Sequence, residues 1–148
     1  MTEMQSIFTT LPEIKERSIA ENKTAWAFLT NIPITPGHAL VSPKRVIETM
    51  EELTEKELID IFALTTLVKN ALRKTYGAEG FNFAWNEGSA YGQSVPHFHL
   101  HIVPRAPGDE GITEYEPRKF LYRPGSREDS PEAELAEVAA ELRKNIET

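Results

Sequence analysis

Three of the four histidines in the chain stand at alternate positions in His97-Phe98-His99-Leu100-His101. In an extended strand, alternate residues point to one face, so this spacing aims three imidazoles at one place and puts Phe98, Leu100 and Ile102 on the other side. Three chemistries compete for such a cluster. A purely structural row would bury three rings without a polar task, at a desolvation cost that nothing in the sequence offsets. A metal site is what the spacing alone favours, because imidazole nitrogens on alternate strand positions can converge on one ion. The third is attack on phosphorus by a neutral imidazole, which both attacks and leaves well near neutral pH and so suits a two-step displacement. The neighbours favour this third reading. The stretch NEGSAYGQSV, residues 86–95, runs straight into the triad and is small, polar and glycine-containing. Backbone N–H groups of such a loop can approach phosphate oxygens closely. Metal ligands would bring carboxylates as hydrogen-bond partners, and the one nearby carboxylate, Glu87, falls by alternation on the opposite face from Asn86.

The elements that must position these rings are legible on either side. FNFAWNEG alternates strictly, with Phe81, Phe83 and Trp85 pointing one way and Asn82, Ala84 and Asn86 the other. Antiparallel pairing of this strand with HFHLHIV would merge the apolar faces into a core and gather asparagines and histidines on the opposite surface. Upstream, residues 24–29 (TAWAFL) read as half of a hairpin, and Pro33, Pro36 and Gly37 force a turn before a short strand over 39–42. His38, the fourth histidine, sits at that junction. From Thr54 the period changes: Thr54 with Glu57 makes a capping box, and Leu58, Ile61, Phe62, Leu64, Val68 and Leu72 recur at helical spacing up to Gly77. That broad apolar face is expected to cover the sheet as core. Residues 106–129 are expected to form an extended, partly flexible tail. A last helix is predicted over about 131–145, with Ser130 as N-cap, Pro131 at the first helical position and Leu135, Val138, Ala139 and Leu142 on one face.

At 148 residues, with 40% apolar and 26% charged residues, the chain has the size and balance of one globular domain. A net charge of −7 argues against gripping the phosphates of long nucleic acids, whereas a small phosphorylated ligand needs only a local site. There is no cysteine, hence no disulfide and no thiolate nucleophile or metal ligand. No run approaches the roughly 20 apolar residues that span a bilayer, and the expected location is the cytoplasm, away from membranes.

NEGSAYGQSVPHFHLHIVPR resembles the signature of the histidine triad superfamily of nucleotide hydrolases and transferases: Asn-x-Gly, then Gly-Gln-x-Val, then His-x-His-x-His and two apolar residues. AFLTNIPITPGHALVSPKR and ELTEKELIDIFAL are similar to the family's upstream strand, proline turn and helix, so the likeness covers about residues 25–105. It implies an α+β fold, a HIT-like antiparallel sheet of about five strands with one long helix and a C-terminal helix, in a single domain over 1–148 with its core at about 18–105 and an extension over 106–148. It implies His99 as the nucleophile at the α-phosphorus of a nucleotide, through a covalent nucleotidyl-histidine that water then cleaves. His101 would donate to phosphoryl or leaving-group oxygen, His97 or its carbonyl would orient His99, and His38 would stand behind His101. Gly92, Gln93 and Ser94 fall on the phosphate side, as does Asn86, for which a loop-stabilising role is an equal alternative. Phe28 lines the base pocket or the core, and Thr30 stands where the family has a ribose-binding Asp. Val46 and Tyr91 also depart from the pattern, and Arg105 matches an arginine common after the triad. The Val-Pro-Arg after the triad and the closing helix favour hydrolysis of dinucleoside polyphosphates. NEGS and GQSV keep open cleavage of nucleoside phosphoramidates or aminoacyl adenylates. A metal-dependent hydrolase and a non-catalytic nucleotide-binding regulator are the rivals. No cofactor is required, Mg2+ entering only with a substrate's polyphosphate, and the resemblance implies a homodimer.

Overall fold

A computed structural model of the chain describes residues 8, 12–88, 93, 95–109 and 129–146. Five strands form one antiparallel sheet: β1 (Ser18–Glu21), β2 (Ala25–Leu29), β3 (Ala39–Pro43), β4 (Gly80–Ala84) and β5 (Leu100–Arg105), in the order β1-β2-β3-β5-β4. A short helix α1 (Pro12–Glu16), a 3-10 turn (Met50–Glu52), the long helix α2 (Glu55–Tyr76) and a last helix α3 (Glu132–Lys144) complete the described elements. This is the α+β architecture expected from the sequence.

Helix α2 begins and ends where the sequence places it. Thr54 accepts from the Glu57 N–H while the Glu57 carboxylate accepts from the Thr54 N–H, and Gly77 closes the helix in the left-handed region at φ 65°. Each device satisfies end groups that the helix itself leaves unpaired. Its inward stripe, Ile61, Leu64, Val68, Ala71 and Leu72, packs on Ala25, Ala27 and Leu29 of β2 and on Ala39 and Val41 of β3. Small side chains on β2 and β3 let the helix approach closely. The hairpin between β1 and β2 is tied to the same helix, since Asn22 donates to the Asp60 carbonyl at 2.8 Å and Thr24 to the Asp60 carboxylate at 2.7 Å.

Three sequence expectations change. Leu58 and Phe62 do not enter the core: they are 51% and 74% exposed, because the sheet is met by the 61-64-68-72 stripe and the 58-62 stripe lies outside that contact. Phe83 and Trp85 are likewise 45% and 42% exposed, because β4 is an edge strand that reaches past the width one helix can cover. The last helix starts at Glu132 with Pro131 as its cap residue and no side-chain cap, the Ser130 N–H donating instead to the Asn31 carbonyl at 2.7 Å. Its Leu135, Ala139 and Leu142 join the main core as expected. Most of the expected tail, residues 110–128, lies outside the described residues. No helix among the described residues is long and apolar enough to cross a membrane.

Candidate active site

The sheet face away from α2 carries the histidines. Register aligns Phe28 of β2, Leu40 of β3, His101 of β5 and Ala84 of β4 in one row. The β3–β5 ladder stops at Val41↔Leu100, so β5 begins later than the alternation predicts, and His97, Phe98 and His99 lie just off the strand. Backbone groups buried without a ladder need other partners. Ser42 supplies one, its hydroxyl lying 2.9 Å from the Phe98 carbonyl. The Phe98 N–H donates to the Ile47 carbonyl at 2.6 Å, and the His97 ring donates through Nε2 to the Pro43 carbonyl at 2.7 Å. Side-chain and loop bonds to residues 42–47 thus take over from the ladder where His97 to His99 stand.

Partners that can only accept or only donate fix which ring nitrogens carry protons. His99 Nδ1 lies 2.8 Å from the His97 carbonyl, which can only accept, so Nδ1 bears the hydrogen and Nε2 of the neutral ring keeps its lone pair. On His38, Nδ1 receives the Ile34 N–H at 3.0 Å and must be the acceptor. The proton of neutral His38 therefore sits on Nε2, 2.9 Å from His101 Nδ1, which accepts it. Neutral His101 then carries its own hydrogen on Nε2. The outcome is two adjacent rings of opposite character, a base at His99 and a donor at His101, with centroids 5.0 Å apart. Burial pushes the pKa of His99 below the ordinary imidazole value, against the opposing pull of the His97 carbonyl. Burial likewise lowers that of His97, the Pro43 carbonyl acting the other way. Both rings are held neutral.

Beside the rings is a second, smaller apolar cluster of Phe8, Ile14, Phe28 and Leu40, with Trp26 and Val95 packed against it. Phe28 is wholly buried there, on the histidine face. Phe8 stands edge-on to His99 at 5.2 Å and 5.4 Å from His97. The sequence reading missed Phe8, Ile14 and Leu40. Alternation in residues 39–42 could have found Leu40, which faces opposite to Ala39 and Val41. Nothing local marks Phe8, whose place is set by tertiary packing. Thr30 is buried, its N–H donating to the His38 carbonyl and its Oγ1 accepting from Ile32 N at 3.3 Å.

The Gln93 carboxamide accepts the Gly88 N–H and donates to the Glu48 carbonyl, both at 2.9 Å, and so braces the loop. Glu87 adds a second brace, accepting from Met50 N and from Trp85 Nε1. Asn86 is half-buried just beyond β4. Gly92 and Ser94 lie outside the described residues. Among the described residues, no group of three or more His, Asp or Glu side chains is placed to hold a metal ion.

Comparison with known proteins agrees with this geometry. The model of the HIT domain family matches residues 11–108. The chain is 39% identical over 87 residues to a bis(5'-nucleosyl)-tetraphosphatase [asymmetrical] of Schizosaccharomyces pombe, covering 59% of this chain and 48% of that protein. With a bis(5'-adenosyl)-triphosphatase of Dictyostelium discoideum it is 30% identical over 125 residues, 83% of this chain and 80% of the other. The crystal structure of the C. elegans NitFhit protein superposes with a TM-score of 0.72 and 28% identity over 88% of this chain, which spans 27% of that one. The chain thus corresponds to about half or less of two of these relatives. With the family model spanning most of its length and the histidines set on the sheet face as described, the chain belongs to the HIT family.

Proposed function

We propose that the chain hydrolyses dinucleoside polyphosphates at an α-phosphorus, with His99 as nucleophile. The observation that carries the reading is the Nδ1 bond of His99 to the His97 carbonyl, which leaves Nε2 unprotonated in a ring that burial keeps neutral. In the first step the Nε2 lone pair forms a bond to the α-phosphorus as the bond to the bridging oxygen breaks. His101 Nε2–H meets the charge on the oxygens, and one well-placed donor of this kind is worth roughly 3 kcal/mol. In the second step water adds its oxygen to phosphorus and gives up a proton to bulk solvent, the phosphorus–nitrogen bond breaks with its electron pair returning to Nε2, and the nucleoside monophosphate leaves. Phe28 and Leu40, in register with His101, are assigned to the base attached to that phosphate, and Thr30 and Asn86 to ribose and phosphate. The substrate class follows the names of the fission-yeast and Dictyostelium relatives. Mg2+ is assigned no protein ligand and accompanies the polyphosphate. A cytoplasmic setting belongs to the same proposal.

A homodimer is proposed through β4 and the outer stripe of α2. β4 is an edge strand with Phe83 exposed, and Leu58 and Phe62 are exposed on the helix beside it. Lys69, two turns on from Phe62, lies over the Phe81 and Phe83 rings and links the two surfaces. An open strand edge flanked by apolar side chains is a template for a second copy about a twofold axis.

The test is turnover of diadenosine tetraphosphate and of an adenosine phosphoramidate by wild type and His99→Ala. The expected result is faster wild-type turnover of the tetraphosphate and a loss of at least about 10³-fold in the mutant. Undiminished turnover by His99→Ala refutes the nucleophile, and preference for the phosphoramidate refutes the substrate class.

A further inference from the structure

We propose that Thr35 is a positioning residue for the reaction proposed above: its hydroxyl fixes the turn that wraps His38, and through His38 it fixes which nitrogen of His101 faces substrate as a donor.

One turn, residues 34–38, touches both ends of the His38–His101 pair. The Ile34 N–H enters His38 Nδ1 at 3.0 Å, and the His38 N–H donates to the Thr35 carbonyl at 3.1 Å. Thr35, 4% exposed, then reaches out of the turn and donates its hydroxyl to the Pro104 carbonyl at 2.8 Å. Pro104 is on β5, three residues beyond His101 and past Ile102, the last residue of β5 with a β3 partner. Thr35 therefore occupies the edge of β5 that β3 no longer covers, and cross-braces the carrier of His38 to the carrier of His101.

Cavities of about 230 and 280 Å3 are each lined by both Thr35 and Pro36. Gly37 is tightly enclosed: a Cβ there would lie 2.7 Å from Leu72 and 2.8 Å from Tyr76. The directional bond of the buried Thr35 hydroxyl to the Pro104 carbonyl ties the turn to β5, and with it locates Ile34 N against His38. If Ile34 N moves away, Nδ1 of His38 loses the donor that forces its tautomer, Nε2 no longer has to carry the proton, and His101 is free to place its hydrogen on Nδ1. In that state His101 offers substrate a lone pair where the reaction needs a donor. The influence is on the step in which charge develops, so it is expected in kcat more than in KM.

The experiment uses Thr35→Val, which keeps the shape and removes the hydroxyl, and Thr35→Ser, which restores it. Two readouts are taken: kcat and KM on diadenosine tetraphosphate, and 15N shifts of the His38 and His101 ring nitrogens in the unliganded protein. Expected are a fall in kcat of about 10-fold with KM nearly unchanged for Thr35→Val, near-wild-type kinetics for Thr35→Ser, and a wild-type His101 Nδ1 that is unprotonated but becomes mixed in the valine variant. Ring-nitrogen shifts unchanged in Thr35→Val, or a kcat loss that serine does not rescue, overturn the proposal. Should the valine variant not fold, Thr35→Cys, with only a weak S–H donor, carries the same test. Because the 15N arm needs no substrate, it decides the role of Thr35 even if the tetraphosphate proves not to be turned over.

Discussion

The histidine face of the sheet and the outer surface of α2 and β4 treat their awkward groups in opposite ways. On the first, the histidine rings and the Gln93 carboxamide are each given a partner: His97 to Pro43, His99 to the His97 carbonyl, His38 to Ile34 and His101, Gln93 to Gly88 and Glu48. On the second, apolar side chains that water would penalise, Leu58, Phe62, Phe83 and Trp85, are left in the open. The difference teaches where each kind of specificity resides. Directional bonds set proton positions within the chain, while uncovered apolar area, which has no directional requirement, is suited to being covered by something outside it.

If the two stripes of α2 really differ in this way, the largest contrast is a mutation on the inner one. Leu72 is wholly buried under the sheet, and Leu72→Ala is expected to lower the folding free energy by about 2–5 kcal/mol in denaturant titration. A loss under 1 kcal/mol, read with the error in mind, would place the core elsewhere. Acid sharpens the polar side of the comparison. His97 and His99 have pKa values lowered by burial from 6.5, so the unfolded chain binds protons more readily than the folded one. The stability they allow is complete above the unfolded value near 6.5 and declines as pH falls from there toward the lowered folded values. Chemical denaturation of wild type and of a His97→Gln, His99→Gln double variant between pH 7.5 and 5 checks this, the variant losing less on acidification. Equal acid sensitivity would mean that these rings do not carry the effect.

How much of this was legible in the sequence differs between the same two regions. The cap at Thr54 and the stop at Gly77 follow from local chemistry that acts within a few residues, and antiparallel pairing of FNFAWNEG with HFHLHIV was expected from alternation; the structure has both, with 80–84 paired to 101–105. The placement of His38 behind His101 was readable only through resemblance, because the two are distant in sequence and meet through strand register. The bracing role of Gln93 was not readable at all: a glutamine in a glycine-rich loop looks the same whether it meets a phosphate or the Glu48 carbonyl. Which apolar stripe of α2 is buried also escaped, since Leu58 and Phe62 are as hydrophobic as Leu64 and Leu72. Periodicity identifies a helix with an apolar side but does not say how wide the sheet beneath it is. A smaller test of what local chemistry supplies is Thr54→Ala, expected to cost about 1 kcal/mol by removing half of the capping box.

The smallest expected effect is the one that separates the two regions most cleanly. Phe62 is 74% exposed, so Phe62→Ser deletes a contact with water and not with the core. In dilute protein its folding free energy should stay within about 0.5 kcal/mol of wild type, a fraction of the Leu72→Ala loss. At higher concentration the ordering reverses if a second copy covers this stripe. Wild type then sediments as a dimer and gains apparent stability with concentration, while Phe62→Ser remains a monomer whose unfolding does not depend on concentration. A wild type that stays monomeric at the highest accessible concentration would remove the second copy as the occupant. The histidine face predicts no such dependence, since every bond that sets its proton positions is made within one chain.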